Sequence, residues 1–493
     1  MAEQLPPTPP EPPWELTLQE PLYQQVYRRL RESILSGSLR PGQRLLSTRS
    51  MASQMGVARN TVLQAFSQLE VEGYIQAERG SGHYVSPLLS DKTPKTVDSD
   101  RKTHEPATPD PTAIRSTFSF VPGSLRQPMR AIPFRINHPA LDHFPIDSWV
   151  RLQARVLREA RSASSADSLL GEAEAQGDWS LRKAIADHVS IARGVRCGPE
   201  DIVITAGAQH AMDLLLRVLT RPGDPVGLED PCFPGALSAA QAAGCQIVPI
   251  PVDAQGIDIS QSPGPDPRLL IVCPSTQFPL GMTMSLPRRL TLIEWARRTS
   301  GWIVEDDYDS EYRFQGKPIP SLQGLDHGLH VIYVGTFSKV MFPSLRTGFI
   351  VAPQSLINPL SAARAVSGRH SSLLEQRVLA RFIESGALAS HIKKMRALYR
   401  ERQEELLYQC RKQLGDRLTM EAAESGLQTV GWLKPGSDDR AVADRARQQG
   451  VEAAPVSRFV IDTPRPPGLV LGFGGFDADR IRISVQKLAQ LSL

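Results

Sequence analysis

Leu22, Val26, Leu30 and Ile34 recur at every fourth residue, which lays one apolar stripe along a helix and predicts a first helix ending before Gly37. After the turn at Pro41-Gly42, Ser47 is placed to cap a short helix over 48–54, with Met51 and Met55 one turn apart on its inner side. Gly56 ends that helix. A third helix over 59–72 turns Val62, Phe66 and Leu69 inward and leaves Arg59, Asn60, Thr61 and Gln64 exposed near its N-terminus. Two short strands, 74–77 and 83–86, then flank Glu78-Arg-Gly-Ser-Gly82, whose glycines allow the positive φ angles of a tight hairpin with Arg79 at its tip. Beyond about Pro133 the pattern changes. Short apolar runs at 202–204, 269–272, 302–304 and 331–334 alternate with longer amphipathic stretches, which predicts an α/β fold with a mostly parallel sheet wrapped by helices.

The pattern also divides the chain. At roughly 150 residues per domain, 493 residues suggest about three units. Six prolines among the first 13 residues make 1–19 a disordered or polyproline II tail, too polar to bury enough area against chain entropy. A patterned module covers 20–87, and 88–122, rich in Ser, Thr, Pro, Asp and Lys, reads as an extended, mobile linker. The rest, 123–493, forms one large domain.

Charge and cysteine usage narrow the classes further. The 56 Lys+Arg against 52 Asp+Glu leave +4, too little for the whole molecule to coat nucleic acid, so any basic surface is local. Between Pro21 and Pro87 stand eight Arg, no Lys and four Glu, hence +4 within that module, and Arg is the side chain suited to bidentate phosphate or guanine contacts. Five cysteines without a CxxC pair read as reduced thiols rather than a disulfide frame or zinc cluster. No apolar run approaches the ~18 residues of a membrane helix, so a cytoplasmic protein without membrane association is expected.

A helical bundle with a solvated arginine face would explain the module's charge. Helix-turn-helix, hairpin glycines and tip arginine in that order instead point to double-stranded DNA, with the third helix in the major groove. The stretch 22–85, with Leu39-Arg-Pro-Gly, Ser47-Thr-Arg, Arg59-Asn-Thr-Val and Gly80-Ser-Gly, resembles the winged helix-turn-helix domain of GntR-type bacterial transcription regulators. The resemblance implies DNA contacts at Arg49, Arg59, Asn60, Thr61, Arg79 and Gly82. Leu46 stands where that family usually has Pro, and Ala58 where it has a capping Ser.

In the large domain, Tyr333-Val-Gly-Thr-Phe-Ser-Lys339-Val-Met-Phe-Pro-Ser-Leu-Arg346 runs from a strand into a turn where one lysine is flanked by hydroxyls and followed by an arginine. Pyridoxal phosphate needs such a lysine for its Schiff base and such neighbours for its phosphate; a surface lysine is the bland alternative. Upstream, Trp302-Ile-Val-Glu-Asp306-Asp-Tyr308 ends a buried strand in acids and a tyrosine. An aspartate there can pair with a pyridine nitrogen and the tyrosine can reach a ring oxygen, whereas a metal reading lacks a histidine cluster. Ile202-Val-Ile-Thr-Ala-Gly207-Ala208-Gln209 leads from a strand into a helix whose N-terminal N–H groups can take a phosphate. Phe233, in Glu229-Asp-Pro-Cys-Phe-Pro-Gly, could stack on a planar ring.

In this order the motifs resemble a fold-type-I aminotransferase domain with a smaller C-terminal α+β part. The resemblance implies pyridoxal 5'-phosphate on Lys339, Asp306 at its nitrogen, Tyr308 at its ring oxygen, Gly207, Ala208, Thr336 and Arg346 at its phosphate, and Phe233 stacked on it. No metal is expected. Phe278 occupies the place of the aminotransferase Asn that touches the ring oxygen, with Gln277 or Ser275 as substitutes. Gly468-Leu-Val-Leu-Gly-Phe473 lacks the arginine that holds a substrate carboxylate, for which Arg458 is a candidate.

The two parts together resemble the MocR subgroup of GntR-type regulators, vitamin B6 synthesis regulators among them. That resemblance implies a transcription regulator sensing pyridoxal phosphate, or an amine or amino acid reacting with it, and controlling vitamin B6 or amine and amino-acid metabolism. It also implies a homodimer with swapped DNA-binding modules. The rival is a working aminotransferase carrying a DNA-binding module.

Overall fold

The computed structural model describes residues 20–78, 81–87, 121–122, 131–314 and 319–491. The tail, most of the linker and Arg79 lie outside the described residues. The chain divides into two compact units, Met1–Arg115 and Ser116–Leu493.

In the first unit, α1 (Leu22–Leu35), α2 (Thr48–Met55) and α3 (Arg59–Val71) precede an antiparallel hairpin of β1 (Ile75–Glu78) and β2 (Gly82–Val85). Val26, Leu30, Ile34, Met51, Val62, Phe66, Leu69, Ile75 and Val85 form its core, whereas Leu22 is 37% exposed, so the α1 stripe engages one turn later than its spacing predicts. Ser47 Oγ accepts from Ser50 N at 3.1 Å, capping α2 as expected. The hairpin strands sit about one residue from their predicted positions because Tyr74 N still bonds Leu69 O in the closing turn of α3, so pairing begins at Ile75.

The second unit holds an eight-stranded sheet in the order β3-β10-β9-β8-β7-β4-β5-β6. Its strands are β3 (Ile202–Thr205), β4 (Pro225–Asp230), β5 (Gln246–Asp253), β6 (Gly256–Ile257), β7 (Leu269–Val272), β8 (Trp302–Asp307), β9 (Val331–Thr336) and β10 (Gly348–Val351). Strands β9, β8, β7, β4 and β5 pair in parallel, while β10 runs antiparallel between β9 and β3. Every residue of β3, β7, β9 and β10 is buried, as expected of strands covered on both faces, which is why they appear in the sequence as continuous apolar runs. A separate antiparallel sheet, β11 (Leu418–Met420), β12 (Gln428–Leu433), β14 (Gly468–Gly472) and β13 (Ala454–Pro455), packs near the long helix Ala387–Leu414 and the helix Ala478–Ala489, with Met395, Tyr399, Leu406, Ile481 and Val485 in a shared core. Two antiparallel pairings separate β3 from β9, so β3 points the same way as the parallel strands. Their carboxyl ends share one edge, where open α/β sheets place ligands. Among the described residues, no helix is long and apolar enough to cross a membrane.

Candidate functional site

Three acids in a row end β8, and the strand's alternation sends them to different places. Glu305 accepts from the backbone N–H groups of Leu322 and Gln323, both at 2.9 Å. Asp307 pairs with Arg193 at 2.8 Å and accepts from the Tyr333 hydroxyl at 2.7 Å. Both hold the fold together. Asp306, on the opposite face, is 5% exposed, and its Oδ1 has no partner among the described residues. Burial, with Asp307 adding to it, raises its carboxyl to about 7, against the opposing pull of Lys339. The Tyr308 hydroxyl is likewise buried without a partner, and burial holds it well above its ordinary range.

Lys339 leaves the carboxyl end of β9. Its residue surface is half-buried, while its amine is enclosed by protein. Nζ donates to Asn137 O at 3.2 Å. Burial pulls this amine down to about 8; Asp309 and Asp306 favour its charge and Arg346 opposes it. At the end of β3, Gly207 has φ 90° and caps the helix Ala208–Leu219, whose first-turn N–H groups lack intrahelical acceptors. The left-handed φ favours glycine, and the point where a Cβ would stand is 3.6 Å from Arg346 Nη1. Arg346 is itself held at φ 47° after the turn Pro343–Leu345, so a strained backbone delivers a guanidinium to a helix N-terminus. Gly207, Ala208, Asp306, Tyr308, Lys339 and Arg346 thus belong to one sheet edge.

Thr336 Oγ1 accepts from Ser338 N at 3.3 Å and lies 3.5 Å from Thr347 O, in the loop that carries the lysine. Ser338, absent from the sequence-based set, is the hydroxyl that is buried without a partner beside Lys339. Its signal was the run of hydroxyls flanking the lysine. Gln277 Nε2 donates to Pro231 O at 2.8 Å and Phe278 O at 2.7 Å while its Oε1 accepts from Leu280 N, and Ser275 Oγ accepts from Arg193. Gln277 has its amide engaged on both sides, and Ser275 is held by Arg193. Phe278 packs edge-on against Phe233, Tyr308 and Phe459, at 5.5, 6.3 and 5.2 Å between ring centroids. Phe233 remains half-buried at the start of the helix Pro234–Ala242. Arg458 is exposed on a turn, and Arg465 donates to the carbonyls of Asp230 and Val252.

The first unit presents a different kind of surface. Arg49, Arg59, Asn60 and Gly82 are exposed and Thr61 is half-buried, while the opposite side of α3 carries Val62, Ala65, Phe66 and Leu69 inward. Ala58 begins α3 with no side-chain cap. Arg44, unforeseen from the sequence, bridges to Tyr84 of β2, and its Nε is 3.5 Å from where a Cβ on Gly82 would stand. It comes from an irregular segment whose pairing depends on the fold.

These two units define a class: a winged helix-turn-helix and an aminotransferase-type α/β fold on one chain. Residues 22–85 match the family described as bacterial regulatory proteins, gntR family, and residues 130–488 match aminotransferase class I and II. The probable rhizopine catabolism regulatory protein MocR of Rhizobium meliloti is 38% identical over 468 residues, covering 95% of this chain and 93% of that one. The HTH-type pyridoxine biosynthesis transcriptional regulator PdxR of Corynebacterium glutamicum is 30% identical over 460 residues, 93% of each. LysN, an alpha-aminoadipate aminotransferase from Thermus thermophilus solved with N-(5'-phosphopyridoxyl)-L-leucine, is 26% identical with a TM-score of 0.69, covering 77% of this chain and 97% of that one. The chain belongs to the MocR subgroup of GntR-type transcription regulators, which join a DNA-binding unit to an aminotransferase-like domain.

Proposed function

We propose that the aminotransferase-like unit of this regulator binds pyridoxal phosphate at Lys339 and uses its occupancy to set operator affinity. One observation carries the reading. Asp306, Tyr308 and Ser338 are buried polar side chains without partners among the described residues, at the sheet edge that presents the Lys339 amine. An unsatisfied buried polar group costs roughly 1–3 kcal/mol, so a cluster of them is best understood as awaiting a ligand. The residues fit this one: Asp306 would hold the ring nitrogen, Tyr308 the ring oxygen, and Gly207, Ala208, Thr336 and Arg346 the phosphate, joined by Ser338, with Phe233 against the ring. When bound, pyridoxal phosphate supplies an aldehyde that forms Schiff bases with amines. The chain's own part is to keep Lys339 largely enclosed and its amine low enough to be a nucleophile near neutral pH, which burial to about 8 does.

Arg49, Arg59, Asn60, Thr61, Arg79 and Gly82 would contact operator DNA in a homodimer with swapped DNA-binding modules. The effector would be pyridoxal phosphate itself or an amine reacting with it, and the regulated genes those of vitamin B6 or amine metabolism. A ligand moves such a switch only through unequal affinity for its two states, and about 5.5 kcal/mol carries a population from 1:99 to 99:1. Phe278 in the Asn place and the outward Arg458 weigh against efficient transamination. The test is an operator titration at fixed salt with and without pyridoxal phosphate, alongside the visible spectrum. Operator affinity should change together with a new absorption band; a colourless mixture in excess vitamer, or equal affinities, would overturn the proposal. Many turnovers on an amino-acid and keto-acid pair would favour the enzyme reading instead.

A further inference from the structure

The chain enters the second unit through residues 131–140, the first continuous stretch described after residue 122. Two residues there that are not glycine hold left-handed backbone, Phe134 at φ 65° and Asn137 at φ 59°. Asparagine tolerates that conformation, whereas a bulky residue adopts it only where its surroundings impose it. Those surroundings are explicit. Phe134 is fully buried, its O accepts from Gly472 N at 2.9 Å, and Pro133 O accepts from Glu452 N at 2.8 Å. Ala140 N donates to the Tyr399 hydroxyl at 3.0 Å. Glycines of β14 and the turn after it make room: a Cβ on Gly472 would stand 2.1 Å from Arg135 O, and one on Gly475 would stand 2.3 Å from Cδ2 of His138, whose ring stacks on Phe476. Residues 133–140 are thus a strap laid on the smaller sheet.

One group of the strap is used differently. Asn137 O accepts from Lys339 Nζ at 3.2 Å, a bond between residues 202 positions apart. Ile136 beside it packs against the cluster that holds Cys273, Phe278 and Tyr308. The strap therefore links the smaller sheet to the amine of the candidate site. This hydrogen bond offsets only part of the cost of enclosing the amine, which burial still pulls down to about 8. Its effect falls on the strap more than on the stability of the whole fold.

We propose that Asn137 is a positioning residue for Lys339 and that the strap reads the state of the amine: while Nζ keeps its hydrogens it holds Asn137 O, and when a carbonyl ligand consumes the amine the strap loosens. In that condensation a C=N bond forms, the C=O bond of the ligand breaks, and both hydrogens of the neutral amine leave with the oxygen as water. The nitrogen that remains carries at most one hydrogen, fixed in the plane of the new double bond, where the free ammonium has three that turn about the Cε–Nζ bond. Asn137 O then loses its donor. Because this stretch is the covalent path from the second unit back toward the first, the loss falls where the state of the ligand can be passed to the DNA-binding module.

The inference rests on reading Lys339 as the reactive amine, and hydrogen–deuterium exchange of the full chain at pH 7, read by peptide mass spectrometry, tests it without pyridoxal phosphate. Lys339→Met should speed exchange at Ala140, Glu452 and Gly472, whose N–H groups are bonded within or onto the strap, by roughly tenfold, as the loss of one hydrogen bond to a charged group allows. Asn137→Val, whose branched side chain resists left-handed backbone, should do the same and should lower by about half a pH unit or more the midpoint at which acetic anhydride modifies Lys339. Asn137→Gly, which keeps the backbone shape, should leave both near the parent protein. The charged and titratable groups that face the amine, Asp306, Asp309, Arg346 and His138, are the same in the parent and in both Asn137 variants. Pyridoxal phosphate added to the parent protein should reproduce the faster exchange. Unchanged exchange in Lys339→Met, or an increase spread evenly over the second unit, would overturn the inference and leave pyridoxal phosphate binding standing. A visible band formed while the strap stays as protected as before would do likewise. A colourless mixture would reject that binding and leave the effect of Lys339→Met intact.

Discussion

The two units expose opposite kinds of functional chemistry. On α3 the candidate DNA contacts are the side chains left over from packing: Arg59 and Asn60 are exposed, while Val62, Phe66 and Leu69 supply the core. They remain solvated, so the fold bears almost no cost for keeping them. At the sheet edge the candidates are polar groups that folding has buried and left without partners among the described residues, Asp306, Tyr308 and Ser338. Each weakens the ligand-free fold. A surface site and a buried site thus predict opposite stability consequences. Removing a contact residue from the first should cost binding alone, while removing one from the second should cost binding and stabilise the protein that remains.

Lys339→Met tests that contrast at its strongest. The band formed with pyridoxal phosphate should vanish entirely. The fold should also gain stability below about pH 8, because the lysine's folded value of about 8 lies under its ordinary 10.5. The unfolded chain therefore binds more protons between those values, the penalty is full below about 8, and stability rises with pH until it disappears above 10.5. Denaturant melts at pH 6.5 and at pH 10.5 should show the variant ahead at the first and level at the second. A variant less stable at pH 6.5 would mean that the amine is a structural tie.

Arg59→Ala is the matching change on the surface site. Operator affinity should fall roughly 10- to 100-fold for a base contact, or fall with a salt slope reduced by about one for a phosphate contact. The melting curve should stay in place, since Arg59 is exposed and its side-chain bond to Thr48 Oγ1 is 3.5 Å long. Fluorescence anisotropy at several salt concentrations reads the first, calorimetry the second.

Glu229 sharpens the buried side without touching the lysine. Its Oε1 has no partner among the described residues, and burial raises the carboxyl to about 8 from an ordinary 4.5. The protonated acid is favoured in the fold, so its contribution is whole below about 4.5 and is lost as pH rises toward 8. Glu229→Gln, which cannot ionise, should flatten the decline of melting temperature over that window and match the parent protein at its acid end. Parallel declines would show that Cys273 N and Gln277, its neighbours, keep the carboxylate charged.

Legibility followed the same division. Helices α1 to α3 were readable because each buries one face, and periodicity records which. The central strands were readable as apolar runs because both of their faces are covered, yet the antiparallel direction of β10 was not, since direction depends on connections rather than on composition. Within Glu305-Asp306-Asp307, the order of motifs singled out the middle acid; the structure supplies the reason, because Arg193 and the Leu322 backbone occupy its neighbours. The engagement of Gln277 and Ser275 was not readable because Pro231 and Arg193, which they bond, lie far away in the chain. Ser338 was passed over although it stands beside the lysine, because its lack of a hydrogen-bond partner cannot be read from sequence.

The smallest effect returns to the start of α3, where Ala58 offers no side-chain acceptor to the first-turn N–H groups. Ala58→Ser should add about 0.5–1 kcal/mol to the stability of this helix, the usual worth of such a cap. Ser47 shows that the unit can use one, since its Oγ accepts from Ser50 N at the start of α2. The new hydroxyl would be exposed next to Arg59 and Asn60, so the same substitution probes the surface site. If this end of α3 lies on the DNA backbone, operator affinity should rise slightly and the salt slope should stay fixed, because a hydroxyl displaces no counterion. A gain in stability with no change in affinity would place the backbone contact further along the helix, and a loss of affinity would mean that the DNA packs against the methyl group of Ala58.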